Sequence, residues 1–372
     1  WISFAKVRGA WSEVGNALDP YVSNYNAKKI TASGVQQDFS TAPFGELKPE
    51  QTKSIEFGTE WRFFNNRLGL DVTYYKTNTR NQLFKVASAP TAKFPFYYVN
   101  GGDIQNQGVE VVLSATPVAS KDFQWKTNVN FATNKNKVIE MPDGLPVFFF
   151  GEKGSNNYQM RLEKGGSIGD IYGQTFARDS HGTITYDAGG LPQKSDGDWM
   201  KIANSAPKFN LGWANTFTYK QFSLYLLFDG RFGGKVLSLT QADLDLQGVS
   251  KVTGDARAAG SVTLEGKKVT DVQGFYSRVG GRSGITEYYV YDATVARLRE
   301  LSLSYSIPSR VFANKVVKGL DFSLTGRNLF YLTKKAPYDT DASLSTTNDL
   351  QGVDAFGMPA TRTFGFNVKL LL

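Results

Sequence analysis

A chain of 372 residues without a single cysteine can form neither a disulfide framework nor a thiolate metal site. Charged residues are only 20%, aromatics reach 14% and glycine is frequent, which favours many short strands and turns over helices. The net charge of +8 suits lipid headgroups or acidic polysaccharide no better than it suits scattered solvated lysines, and no run approaches the roughly eighteen apolar residues of a membrane helix, so only strands could carry this chain across a bilayer.

Ser3 to Val14 reads as a first strand, with Ala5, Val7, Gly9 and Trp11 on one face and Phe4, Lys6, Arg8 and Ser12 on the other. A long polar stretch follows, to about Gln51. Then Ile55, Phe57, Thr59, Trp61 and Phe63 alternate with polar neighbours, and a tight turn at Asn65-Asn66 leads into Leu68, Leu70, Val72 and Tyr74. After Thr79 a long loop rich in Pro, Phe and Tyr is expected, carrying Phe94, Phe96, Tyr97 and Tyr98. Asn106 to Asn136 has the cleanest pattern. Val109, Val111, Leu113 and Ala115 oppose Glu110, Ser114 and Thr116 in one arm, and Phe123, Trp125, Thr127, Val129 and Phe131 alternate with Gln124, Lys126, Asn128, Asn130 and Ala132 in the other.

Lys137 to Pro207 reads as the longest irregular region, with a small hairpin of Ile168 to Ala177 against Thr183 to Tyr186 around a turn at Asp179 to Gly182. Phe209, Leu211, Trp213 and Phe217 then alternate, and a turn at Lys220-Gln221 returns the chain through Phe222, Leu224, Leu226 and Phe228. Gly233 to about Tyr291 reads as loop, and Thr294 to Ile307 as a strand ended by Pro308. Val311 to Val317 makes a short turn into Leu320, Phe322 and Leu324, and a final loop from about Leu329 to Thr361 leads to a last strand through Phe364, Phe366, Val368 and Leu370.

About ten strands are thus joined by connections that alternate short, long, short, long, as in an outer-membrane barrel with tight periplasmic turns and large external loops. A sandwich strand also alternates, but a sandwich gives no reason for that order. Ten residues rising about 3.3 Å each and tilted about 45° cover roughly 23 Å, the height of the apolar band such a barrel needs. The expectation is an all-β fold: an antiparallel transmembrane β-barrel wall, apolar side chains outward, with long extracellular loops on one side. Phe63, Phe123, Trp125, Tyr219, Phe222 and Tyr305, beside the short turns, then form a girdle at one lipid interface.

Leu47 to Phe84, NGGDIQNQGVEVVLSATP (Asn100 to Pro117), Ala206 to Gly230, ATVARLRELSLSYSIP (Ala293 to Pro308), GLDFSLTGRNLF (Gly319 to Phe330) and TRTFGFNVKLLL (Thr361 to Leu372) together resemble the SusC/RagA-like TonB-dependent outer-membrane transporters. The resemblance implies that residues 1–372 are the C-terminal portion of a barrel of about twenty-two strands, with the plug domain and upstream strands lying before Trp1. It implies import of a large nutrient, glycan or peptide, powered by TonB through the missing N-terminal part. A SusD-like surface lipoprotein would act as lid, and outer-membrane lipid would surround the wall. The family usually ends on an aromatic residue, where this chain ends on Leu372. Its members often carry an Asp-x-Asn-x-Asp-Gly run of calcium-like spacing in a long loop. Here the local sequence is Lys194-Ser195-Asp196-Gly197-Asp198, which makes Asp196 and Asp198 the only candidate Ca2+ ligands and an Asp-Gly turn the simpler reading.

No enzyme is expected, no cofactor other than that candidate Ca2+, and no nucleic-acid partner. The single histidine, His181, sits in a Ser-His-Gly turn with no nucleophile paired to it. Asp339 and Asp341 could mimic a glycosidase dyad, but acids two apart in such a loop more often make turns. Gly280, Gly281 and Gly284 do not follow a strand and open a helix, as a phosphate loop requires. Phe94 to Tyr98 either contact substrate or lid, or pack the loops together. The competing classes are a non-transport surface adhesin and a structural component of a larger outer-membrane assembly.

Overall fold

The computed structural model describes residues 1–17, 28–31, 34–37, 47–87, 91, 94–150, 157–308, 311–312, 317–341 and 351–371. Its frame is a ten-stranded sheet in which each strand pairs antiparallel with the next: β1 (Ile2–Asn16), β2 (Glu50–Phe63), β3 (Leu68–Ala87), β4 (Phe96–Ala119), β5 (Phe123–Glu140), β6 (Phe209–Tyr219), β7 (Phe222–Phe232), β8 (Val295–Ile307), β9 (Gly319–Lys334) and β10 (Thr363–Leu371). The sheet is open, with β1 and β10 as its two edges.

Register brings the alternating patterns of separate strands into phase. Phe123, Tyr219, Phe222, Tyr305 and Phe322 stand opposite one another in a single row across β5 to β9. Two residues further along, Trp125, Phe217, Leu224, Leu303, Leu324 and Phe366 form a second row on the same face. A slip of one residue would turn every one of these side chains to the other face. Among the described residues no second layer covers them: Phe222 is 50% exposed, Leu324 63% and Phe366 79%. A sandwich would bury this face against another sheet, so that alternative falls.

The opposite face is polar and bonded across strands. Ser54 and Thr77 hydroxyls lie 2.6 Å apart, Ser302 and Thr325 3.0 Å, and Ser304 and Ser323 2.9 Å. Arg8 reaches over β2 to place Nη1 2.9 Å from the Asp71 carboxylate on β3. It can do so because Gly58 faces it: a Cβ there would stand 2.4 Å from Arg8 Nε. The glycine in the middle of β2 therefore marks a close approach, at some cost to strand propensity.

Connections of two to eleven residues at 64–67, 120–122, 220–221 and 308–318 alternate with those at 17–49, 88–95, 141–208, 233–294 and 335–362, all of them long except 88–95, which is short because β3 and β4 extend beyond the sheet's other strands. In an antiparallel meander that order puts all the long connections at one rim. Phe64, Asn65 and Asn66 all take positive φ in the first tight turn, a conformation for which Asn is among the better-suited residues.

Several expected loops are structured. β3 and β4 run 20 and 24 residues, past what the lipid band needs, so Phe96, Tyr97 and Tyr98 lie on a strand and not in a loop. The stretch read as loop from Gly233 to Tyr291 holds helices α1 (Leu239–Leu246), α2 (Lys251–Ala259) and α3 (Val272–Val279). Their starts are capped by Ser238, Ser250 and Asp271, whose side chains accept from the amides of Gln241, Thr253 and Gly274 at 3.1, 3.1 and 2.8 Å. The stretch from Lys137 to Pro207 contains the end of β5 and a four-stranded sheet of Val147–Phe150, Tyr158–Glu163, Asp170–Gly173 and Met200–Asn204. Asp170–Gly173 pairs inside that sheet and not with Thr183 to Tyr186, although Arg178 does bridge Ile184 around the expected turn. The last loop begins at Lys335, later than Leu329. Of the turn at Val311 to Val317, residues 313–316 lie outside the described residues.

The apolar core sits in these connections. Met160, Ile171, Leu237, Leu239, Phe275, Val279, Ile285, Tyr289 and Val353 are fully buried together, drawn from three different long connections. Helices of eight or nine residues are marginal alone; this burial holds α1 and α3, and α2 packs against the cluster through Ala256. A second cluster joins Phe84, Ile104 and Val138 at the ends of β3, β4 and β5 to Leu145 and Leu162, fastening the crown to the wall.

Candidate functional site

Where the polar face of the wall meets the crown, charged side chains from β7, β8 and the final connection converge. Arg297 is almost fully buried and meets Asp229 at 3.0 Å, Asp339 at 3.1 Å and also Asp341. Arg299 meets Asp229 at 2.6 Å and Asp341 at 3.2 Å, and the Tyr331 hydroxyl donates to Asp339 at 2.7 Å. Burial alone would raise the Asp341 pKa, but hydrogen bonds and charge from Arg297 and Arg299 outweigh it and hold the carboxyl below its usual range. That is the reverse of what a glycosidase acid requires. The expected turn is present, Asp341 N donating to Asp339 Oδ1 at 3.1 Å, and the two acids also anchor the last connection to the wall.

Beside this network the wall forms an open-mouthed cavity of about 600 Å³ whose lining includes Glu110, Asn130, Asn210, Asp229, Arg231 and Arg297. A second cleft of about 700 Å³ lies at the ends of β3 to β5, lined by Lys48, Arg80, Tyr97, Tyr98, Asp103 and Glu140 among others. Tyr97 and Tyr98 thus reach a cleft. Phe96 takes the Lys85 ammonium over its ring at 4.6 Å, and Phe94 lies half-buried just before the strand. Both carry charge of both signs; the first is also lined by Val112, Phe131, Leu211 and Val295 and the second is the more polar, so the surfaces suit cargo that combines hydrogen-bonding groups with apolar ones.

Sequence reasoning did not single out Asp229, Arg231, Arg297 or Arg299. Asp229 and Arg231 carried a signal, both standing in the polar phase of β7 next to a long connection; Arg297 and Arg299 fall in the same phase as Leu301 and Leu303, and only the irregularity between Leu298 and Glu300 sets Arg297 opposite Asp229.

The remaining candidates stay apart from these cavities. Asp196 and Asp198 are exposed, and no third acidic or histidine side chain joins them in a ligand group among the described residues, well short of the six to eight oxygens Ca2+ takes. His181 is exposed in its turn, its amide donating to Asp179 Oδ1 at 2.9 Å. Gly280 and Gly281 follow α3, and a Cβ on Gly284 would meet Val279 O at 2.0 Å, so that glycine serves chain packing. Phe63, Phe123, Trp125, Tyr219, Phe222 and Tyr305 all lie near the short-turn rim, with Tyr219 52% exposed.

Asp292 ties two long connections together. The Thr294 hydroxyl and amide, the latter at 2.9 Å, hold its carboxyl down to about 2, with Lys335 adding a contact at 3.4 Å. A carboxyl with a depressed folded pKa stabilises above its unfolded pKa of about 3.9 and loses that contribution as pH falls toward 2. Amide protection in residues 290–294 and 334–336, taken relative to the intrinsic exchange rate at each pH, is therefore expected to fall between pH 4 and 2, and Asp292→Asn should flatten that response. Identical profiles in both proteins would refute the clamp.

The geometry defines a class: an outer-membrane β-barrel wall, apolar outside and polar inside, with a folded crown at one rim. No helix among the described residues is long and apolar enough to cross a membrane. A family model described as "TonB dependent receptor-like, beta-barrel" matches residues 1–329, and the chain belongs to that family. Among curated relatives, TonB-dependent receptor P3 of Formosa agariphila is 28% identical over 98% of this chain and 39% of its own length. TonB-dependent receptor SusC of Bacteroides thetaiotaomicron is 22% identical over 90% of this chain and 35% of its own. A solved structure of the RagAB peptide importer superposes over all of this chain and 41% of that one, with a TM-score of 0.74 and 20% identity. The resemblance to SusC/RagA-like transporters drawn from the residues stands. The chain spans about two fifths of the relatives it matches, and its family is one of receptors and not of enzymes.

Proposed function

We propose that this chain supplies wall and crown to a TonB-dependent outer-membrane importer of a large nutrient, glycan or peptide, and performs no bond chemistry itself. The observation that carries the reading is the mixed-charge cavity on the polar face, directly beneath a crown of packed long connections. Edge strands cannot leave backbone groups unpaired in lipid, so further strands would pair with β1 and β10 to close the barrel. A SusD-like surface lipoprotein would seat on the crown, with Phe94, Phe96, Tyr97 and Tyr98 at the contact with cargo or lid. The likeness to TonB-dependent receptor SusC and to the RagAB peptide importer supports the import reading.

The test is uptake of labelled oligosaccharides and oligopeptides by cells with the receptor deleted, and by cells lacking TonB. One cargo class should fail to enter in both strains. Undiminished uptake of every cargo in the deletion strain would overturn the proposal, and binding of cells to a surface lost in its place would favour the adhesin.

A further inference from the structure

Among the charged groups around the 600 Å³ cavity, the arginines are not equivalent. Arg297 and Arg299 each have carboxylates within ion-pair distance, and Asp229, Asp339 and Asp341 are all consumed by them. Arg231 lines the same cavity and forms no ion pair among the described residues; Asp341, already shared by Arg297 and Arg299, acts on it only through longer-range charge. Its Nη2 donates to the backbone carbonyl of Ser205, and its Nε is shielded from solvent with no hydrogen-bond partner. A half-buried guanidinium tethered to one neutral oxygen retains its full positive charge and several unused donors.

The row it stands in sharpens the picture. Glu110, Ala132, Asn210 and Arg231 oppose one another across β4 to β7 on the polar face. Three strand spacings of about 4.8 Å put Glu110 roughly 14 Å from Arg231. Glu110, which also has no ion pair among the described residues, is too far to neutralise Arg231 directly and repels a second anion at its own end of the cavity.

We propose that Arg231 is a specificity-determining residue, a subsite that binds one carboxylate of the cargo through the planar fork of its guanidinium, with Asn210 beside it as a neutral hydrogen-bonding partner. This rests on the import reading above and deepens it by naming the group recognised. A carboxylate of this kind is carried by the C-terminus of a peptide or by the uronic acid of a glycan, and the two sources are separable by experiment.

The test is equilibrium binding to the intact receptor purified from outer membranes, using two matched ligand pairs. One pair is an oligopeptide with a free C-terminus and its C-terminal amide; the other is an oligouronate and its carboxyl-reduced neutral counterpart. In one pair the carboxylate member should bind about tenfold more tightly, as a charge-assisted hydrogen bond provides. Arg231→Gln should erase that preference while leaving the neutral member's affinity unchanged, and Arg231→Lys should keep part of it. The pair that shows the effect identifies the source. The inference is overturned if neither pair shows a preference, if the preference survives Arg231→Gln, or if that variant weakens both members equally, as a purely structural contact would. Failure here with TonB-dependent uptake intact leaves the import reading standing; loss of uptake dependence removes that reading independently.

Discussion

Val129→Arg is expected to destabilise the folded barrel by about 2 to 4 kcal/mol, whereas Asn128→Arg should change stability by less than about 0.5 kcal/mol. The two positions are adjacent on β5 and point to opposite faces. Val129 stands opposite Leu113 and Trp213 on the apolar face, six residues along the strand from Phe123. At about 3.3 Å per residue and a tilt of about 45°, that places it roughly 14 Å from the aromatic row, close to the middle of a band about 25 Å tall. A guanidinium there must displace lipid or distort the bilayer. Asn128 instead lines a wet recess with Arg67, Lys126 and Thr216, where an added cation stays hydrated and repulsion from its neighbours is screened. Urea unfolding in lipid vesicles, followed by tryptophan fluorescence, measures both. Equal tolerance at the two positions would mean that the apolar rows do not face lipid.

Arg297→Met should cost about 3 to 5 kcal/mol, because the buried Asp339 carboxylate would lose its cation while the methionine filled the space. The penalty comes from an uncompensated charge more than from a lost attraction. Asp339→Asn in the same protein should therefore recover much of it, with Tyr331 still able to donate to the amide oxygen. The same unfolding experiment, or the temperature at which the protein loses its compact migration in unheated gels, reads the difference. A loss under about 1 kcal/mol for the single variant would show that water reaches the pair. A double variant no better than the single would show that Arg297 acts through packing.

The wall was legible because strand alternation is a local property. Phe123 to Ala132 alternate whatever lies around them, and the short turns at Asn65-Asn66 and Lys220-Gln221 announce themselves by residue type and spacing. The number of wall strands and the side of each apolar row follow from that pattern. The crown was not legible in the same way. α1, α2 and α3 are eight or nine residues long, rich in polar and small side chains, and carry too short a stripe to stand out from a loop. α1 and α3 are held by burial of Leu239, Phe275 and Val279 in one cluster with Met160, Ile171 and Val353, residues far away in the chain.

The same distinction holds for the site. Asp339 and Asp341 read locally as turn residues, and they do make a turn; that they also neutralise Arg297 and Arg299 depends on a contact spanning some forty residues. The aromatic cluster at Phe94 to Tyr98 reads as loop because proline and aromatics interrupt the alternation there, but pairing with Lys85 to Ala87 extends β4 back to Phe96 and leaves only Phe94 and Pro95 outside it. By itself the sequence determined the wall, its two faces and the rim that carries the long connections, because each depends on a repeat of two residues and on turn chemistry within a few positions. Only the tertiary structure decided which charges are satisfied and which, like Arg231, are left over, because pairing between strands brings together side chains whose separation in sequence carries no information about their distance in space.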